Sequence, residues 1–232
     1  MSQLRSIRSY LARRRLIGRI GLARRADMVM LGNPYGGYPV PSSMLDEHSI
    51  CYLAGTGEDI SFDLALIERF GCEVHAFDPV ARAAAYVAEA AAAEPRHHFM
   101  PVGVWSSDTT LTFHAPVQAG FVSHSATNLQ GTGAAFQAPV RSVASLMTEL
   151  GHDHLDLLKI SAEGAEFEIL DHILDRGIDP RVLCVEFAQP ASVERVLEYG
   201  RRLAGAGYEL LGSGEWRQWK LTFAHPAGPV QS

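Results

Sequence analysis

The residues that could do chemistry stand just after apolar runs. In AGTGED, residues 54–59, Gly55 and Gly57 permit a tight turn and close backbone approach to a ligand, and a helix begins at once. Asp78 ends the next apolar run, 21 residues beyond Gly57, where a carboxylate can accept hydrogen bonds from both hydroxyls of a ribose. The two glycines alone fit an ordinary strand-to-helix turn. Together with the spaced acid they indicate a nucleoside-containing cofactor. Three further groups are candidates for proton chemistry: Glu163 in KISAEGAE, Glu186 in VLCVEF, and His124 in GFVSHSATN. An imidazole ordinarily titrates near neutrality, and the loop holding His124 is long enough to close over a site. Glu163 falls at a helix start, where the dipole stabilises its charge and weakens it as a base, so it suits an orienting or metal-binding role. Glu163 and Glu186 are the candidate ligands for Mg2+, although no spacing here is diagnostic of a metal. Lys159 is expected to pair with Glu186 on the neighbouring strand. Tyr35 and Tyr38, in YGGYPVP, are candidates for an aromatic lip that receives an acceptor, with a packed turn as the competing reading.

The elements that must position these groups follow from the hydrophobic pattern. Strands are expected at 49–55, 73–78, 97–105, 110–116, 155–160 and 182–187, with a terminal pair at 208–212 and 217–224. Helices are expected at 58–71, 79–94, 142–151, 165–177 and 192–207. Residues 31–45 read as loop, and 117–138 as a long polar connection of the kind that is usually functional. Strands separated by helices of this length imply an α/β domain, with a parallel sheet covered on both faces and ligands outside the carboxyl ends of its strands. One such domain is expected over residues 31–232, preceded by a basic amphipathic helix within residues 1–30. Eight arginines in residues 5–25 give that segment +8 and leave −14 to the rest of a chain with net charge −6. Its apolar residues Leu4, Ile7, Leu11, Ile17 and Ile20 recur at helical spacing, which suits docking on the domain or a second subunit, or contact with an anionic membrane surface. No apolar run is long enough to span a membrane. Cys51, Cys72 and Cys184 are odd in number and set in apolar surroundings, so buried thiols in a reducing cytoplasm are expected.

The nature of the cofactor is narrowed by what the turn lacks. Ile60 replaces the third glycine of the dinucleotide fingerprint, and Glu58 and Asp59 at the helix start would repel a phosphate. S-adenosyl-L-methionine has no phosphate and is cationic at sulfur, so an acidic mouth suits it. The sequence here resembles the FkbM-type S-adenosylmethionine-dependent methyltransferases, through YLAGTGEDISFDLALIERFGCEVHAFDP (52–79), VGVWSSDTTLTFHAP (102–116) and LDLLKISAEGAEFEIL (155–170) followed by VLCVEF. The resemblance runs over about residues 35–190. It implies a Rossmann-like, doubly wound, mostly parallel sheet with an antiparallel last strand, and methyl transfer to a hydroxyl, often of a sugar or secondary metabolite. It also implies that Ala54, Gly55, Thr56 and Gly57 pass beneath the methionine part of the cofactor, that Asp78 and Pro79 sit at its ribose, and that Val102 and Gly103 lie beside its adenine. Glu163 and Gly164 match the family's third motif at the methyl. Ser161 departs from that motif, which usually has an aspartate there; a serine can cap the following helix or face the acceptor as a substrate residue, yet brings no charge.

The expected activity is therefore O-methylation of a small-molecule hydroxyl, a saccharide or glycosylated metabolite, with Mg2+ as an optional ion. Nucleic acid is not an expected partner, and a homo-oligomer is an open alternative. The competing functions are a nicotinamide-dependent oxidoreductase of related fold and a non-catalytic scaffold.

Overall fold

The computed structural model describes residue 14 and residues 17–117, 124–128, 131–188, 191–213 and 219–226. Its main sheet has seven strands. In chain order these are β3 (Ile50–Ala54), β4 (Glu73–Phe77), β5 (His97–Met100), β9 (Leu157–Ile160), β10 (Val182–Phe187), β11 (Glu209–Ser213) and β12 (Trp219–Ala224). Across the sheet the order is β11-β12-β10-β9-β3-β4-β5. The β3, β4, β5, β9 and β10 pairings are parallel, and β12 runs antiparallel to both β10 and β11. After β3 the chain builds outward through β4 and β5, then returns to lay β9 on the other side of β3. The strand order reverses there, and a crevice opens at the strand ends.

The central strands are apolar throughout because both faces are covered. On one face α3 (Val143–Leu150), α4 (Glu166–Arg176) and α5 (Val193–Gly205) supply Leu146, Phe167, Ile169, Leu170, Ile173, Val196 and Leu203 to the larger core. On the other face Phe62, Leu66 and Ile67 of α1 (Ser61–Phe70) pack with Leu31, Tyr38 and Val40 of a hairpin. The remaining helix, α2 (Ala81–Ala90), follows β4. Serine side chains start two helices: Ser142 accepts the Ser145 amide at α3, and Ser192 accepts the Arg195 amide at α5. The doubly covered, mostly parallel α/β sheet is as expected from the sequence.

Three local expectations are corrected. The strand expected over 97–105 is two strands, because Pro101 lacks an amide for the ladder. β5 ends at Met100, and β6 (Gly103–Trp105) joins a separate three-stranded sheet with β8 (Ala135–Ser142) and β7 (Thr109–His114). β8 occupies the end of the connection expected over 117–138; Pro139 and a polar surface disguise a strand whose Ala138 and Val140 are buried with Phe113. The loop expected over 31–45 holds a turn of the hairpin formed by β1 (Met28–Leu31) and β2 (Tyr38–Pro41). Asn33 shapes that turn by accepting the amides of Tyr35 and Gly36 on its side chain.

Most of the expected N-terminal helix lies outside the described residues. Residues 17–20 are helical, and Ile17 and Ile20 pack against the larger core, Ile20 directly over Gly200 of α5. The three cysteines are buried and free, with the Sγ atoms of Cys51 and Cys72 3.8 Å apart. Among the described residues no helix is long and apolar enough to cross a membrane.

Leu53, fully buried in β3, anchors the strand that carries the glycine turn. Leu53→Ala is expected to cost about 2–5 kcal/mol, read as a lower midpoint in denaturant unfolding at unchanged slope.

Candidate functional site

The turn after β3 is fixed from two sides. Asp78, at the end of β4, accepts the amides of Thr56 and Gly57 on Oδ2 at 3.0 and 2.9 Å, and the amide of Val80 on Oδ1 at 2.9 Å. From the other side, the carbonyl oxygen of Ser161 lies so close to Gly55 that a Cβ there would stand 1.8 Å from it, and Gly55 has φ +86°. Only glycine fits. Lys159, the third residue of β9, donates from Nζ to the carbonyl oxygen of Gly55 at 2.7 Å, so three strand ends meet at one turn. The two acids of the turn are both engaged: Glu58 accepts from Arg82 at 2.6 Å, and Asp59 accepts from Asn33 and from the Ser61 amide.

The turn between β9 and α4 is more strained. Glu163 has φ 44°, one of two non-glycine residues with positive φ among those described, and Gly164 has φ 101°. An L-residue in the left-handed region costs roughly 1–3 kcal/mol and persists only where its surroundings fix it. Here Ser125 donates to the Glu163 carbonyl oxygen at 2.7 Å, and both carboxyl oxygens of Glu166 lie 3.0 Å from the Gly164 amide. Glu166 is only 1% exposed, and burial pushes its carboxyl up to about 7, against the opposing effect of the Gly164 amide.

Ser161 does not cap α4, whose N-cap is Ala165 with no side-chain bond. Its hydroxyl instead donates to Glu186 Oε2 at 3.0 Å. The expected pairing of Lys159 with Glu186 is also corrected. Sheet register sets Lys220 directly opposite Glu186, and the Lys220 Nζ stands 3.7 Å from Oε2. Lys220 also donates to the carbonyl oxygen of Tyr35 and lies over the rings of Tyr35 and Tyr38 at 5.6 and 5.0 Å. Burial holds its pKa below the ordinary lysine value, with the Glu186 charge pulling the other way. Tyr38, expected at an acceptor lip, points into the core: it is fully buried and packs on Phe62 at 5.3 Å. Alternation along β2 sends it inward, whereas Tyr35, in the turn, is 64% exposed.

A cavity of about 470 Å³ lies over these strand ends. Gly55, Thr56, Gly57, Asp78, Pro79 and Gly103 line it, as do Glu163, His124, Glu186, Ser161 and Tyr35. Ala54 and Val102 stand behind the wall, Ala54 at 1% exposure within β3 and Val102 packed against the core. His124 is held beside the Glu163 turn by its neighbour Ser125 and meets Phe136 edge-on at 5.3 Å. The lining also includes the apolar or aromatic residues Val104, Trp105, Phe113 and Tyr86, none of which the sequence pattern singled out. Lys220 and Glu166 were also missed. The signals were present: Lys159 and Lys220 are the chain's only two lysines, and Glu166 stands three residues after Glu163 at a helix start. Glu163 and Glu186 line the cavity together, and among the described residues no group of three His, Cys, Asp or Glu could hold a metal.

Glu166 gives this site a pH signature. A glutamate that ordinarily titrates near 4.5 holds its proton to about 7 in the folded chain. Its contribution to stability is therefore fully present below pH 4.5 and lost as pH rises through about 7. Glu166→Gln, which keeps an acceptor for Gly164, should remove this component. The stability difference between parent and variant, measured by denaturant unfolding across that window, is expected to move against the parent as pH rises.

The profile described as Methyltransferase FkbM domain matches residues 54–210, from the end of β3 to β11. Among curated proteins the chain is similar to Probable methyltransferase-like protein 24 of Rattus norvegicus, 25% identical over 123 residues, which is 53% of this chain and 28% of that protein. The protein of the same description from Homo sapiens is 26% identical over 124 residues, 53% of this chain and 27% of its own length. The matched stretch thus spans under a third of either relative. Among solved structures, an rRNA methylase from Streptococcus thermophilus superposes with TM-score 0.47 at 13% identity, over 80% of this chain and 92% of that one. The family match covers more than half of the chain and contains the glycine turn, Asp78 and the Glu163 turn: the chain belongs to the FkbM methyltransferase domain family.

Proposed function

We propose that the chain transfers a methyl group from S-adenosyl-L-methionine to a hydroxyl oxygen of a small molecule, a saccharide or glycosylated metabolite. The observation that carries this reading is the convergence of the glycine turn, Asp78 and the Glu163 turn on one cavity in an FkbM-family chain. The residues present fit the cofactor in three respects. Among the described residues Thr56 Oγ1 is buried without a hydrogen-bond partner, Gly55 and Gly57 bring no side chains to the part of the lining they form, and the apolar lining residues next to Gly103, Val104 and Phe113, suit an adenine. When bound, the cofactor supplies a methyl group on a sulfonium, a good leaving group.

The chain's own residues do the rest. Asp78 orders the turn, and its Oδ1, which accepts one amide, retains a lone pair for a ribose hydroxyl. Glu163 and Glu186 set negative charge along the cavity wall that a sulfonium would face. Tyr35, at the rim, offers an aromatic surface to a sugar ring. Orienting the acceptor oxygen at the methyl is the main catalytic work. His124 is the group assigned to take the hydroxyl proton, with Glu163 orienting it. The free buried thiols fit a reducing compartment, the ground for placing this activity in the cytoplasm.

Calorimetric titration with S-adenosylhomocysteine should give binding in the micromolar range, lost in Asp78→Ala because the turn loses its tether. Heat with a nicotinamide dinucleotide and none with S-adenosylhomocysteine would sink the reading. A tritiated-methyl screen against hydroxylated saccharides, run with Mg2+ and with a chelator, then identifies acceptor class and metal need together.

A further inference from the structure

The chain has eighteen arginines and two lysines, and both lysines line the cavity, Lys159 at 6% and Lys220 at 3% exposure. Lysine is a compact point charge with three donors, suited to a confined anion where a guanidinium would not fit. Lys220 is already satisfied by Glu186, by the Tyr35 carbonyl oxygen and by two aromatic faces. Lys159 is not. Its Nζ has one acceptor, the carbonyl oxygen of Gly55, and among the described residues no carboxylate lies within 4.0 Å of it. Asp59 acts on it only from beyond that distance, and a buried ammonium with no carboxylate in contact is costly, so this position suits an anion that arrives with a ligand. A second, independent feature lies at the same turn. Thr56, the residue after Gly55, is 5% exposed, and its Oγ1 is buried without a partner among the described residues.

We propose that Lys159 holds the α-carboxylate of the cofactor's amino-acid end, with the Thr56 hydroxyl as the second donor. This rests on the cofactor reading above and adds an anchor for the end of the ligand remote from the adenine. Lys159 is then a binding residue whose tie to Gly55 sets its ammonium at the turn. The carboxylate receives the two N–H groups that Gly55 leaves free, together with one O–H.

The test needs no acceptor. The full chain is titrated calorimetrically with S-adenosylhomocysteine and with its decarboxylated form, S-adenosyl-3-thiopropylamine. The unaltered chain is expected to prefer the carboxylate-bearing ligand by about tenfold to a hundredfold, the range of a charge-assisted hydrogen bond. Lys159→Gln, which removes the charge and keeps a donor, should weaken S-adenosylhomocysteine by that factor without weakening the decarboxylated ligand, itself a cation. Thr56→Val should reduce the preference several-fold, and serves if Lys159→Gln does not fold. Equal weakening of both ligands in Lys159→Gln would make the lysine merely structural and overturn the proposal. So would an unaltered chain with no preference, or loss of the preference in Lys220→Gln in place of Lys159→Gln. Failure of the unaltered chain to bind either ligand overturns the cofactor reading itself, a result distinct from binding both alike.

Discussion

The carboxylate of Asp78 collects three amides from two segments of chain that leave different strands, Thr56 and Gly57 after β3 and Val80 after β4. Hydrogen bonds to a charged group contribute about 1.5–3 kcal/mol each. This carboxylate therefore fixes both the path of the glycine turn and the start of the segment leading to α2. The same turn is closed from β9 by the Ser161 carbonyl oxygen packed against Gly55 and by the Lys159 ammonium on the Gly55 carbonyl oxygen. The cavity floor is thus backbone, held in place by side chains that reach it from below. Such a floor presents directional groups to a ligand without loss of side-chain entropy on binding.

Around that floor the charges are arranged in tension. Glu186 is held by the Ser161 hydroxyl and faces Lys220, while Glu166 lies beneath the strained Glu163–Gly164 turn with its proton retained to about neutrality. Keeping Glu166 neutral spares the cavity one more buried negative charge beside Glu163 and Glu186, both of which raise its pKa. The serine that departs from the family's usual aspartate has a related effect. An aspartate at 161 would set another carboxylate against Glu186, whereas the serine offers it a donor.

Much of this was legible in the sequence because it depends on local pattern. Continuous apolar runs at β3, β9 and β10 marked buried parallel strands, and the glycines and acids just beyond them marked the site. Gly55, Asp78, Glu163 and Glu186, named from those runs, and His124, named from the long loop, line one cavity. What was not legible depends on partners distant in sequence. Tyr38 looked like a rim residue because it shares a glycine-rich turn with Tyr35, yet the pleat of β2 turns it inward. Ser161 looked like a helix cap because a helix follows, but an acceptor 25 residues later competes for its hydroxyl more effectively than the helix end. Lys159 was assigned to Glu186 because β9 and β10 are neighbours; the residue opposite Glu186 comes from β12, on its other side. β8, which joins β6 and β7 into a sheet, escaped notice because it contains Pro139 and buries few of its residues.

The β10–β12 register has a consequence for how this protein can vary. Glu186 and Lys220 face each other only because the antiparallel ladder aligns Phe187 with Trp219 and Val185 with Leu221 on either side. Side chains alternate between faces, so a slip by a single residue would turn Lys220 to the opposite face of the sheet and bring Trp219 or Leu221 opposite the carboxylate. A change of one residue in the length of β12 is therefore an electrostatic mutation of a cavity formed by other strands. Surface loops elsewhere can lengthen at small cost. At this edge of the sheet, chain length and cavity charge are the same variable.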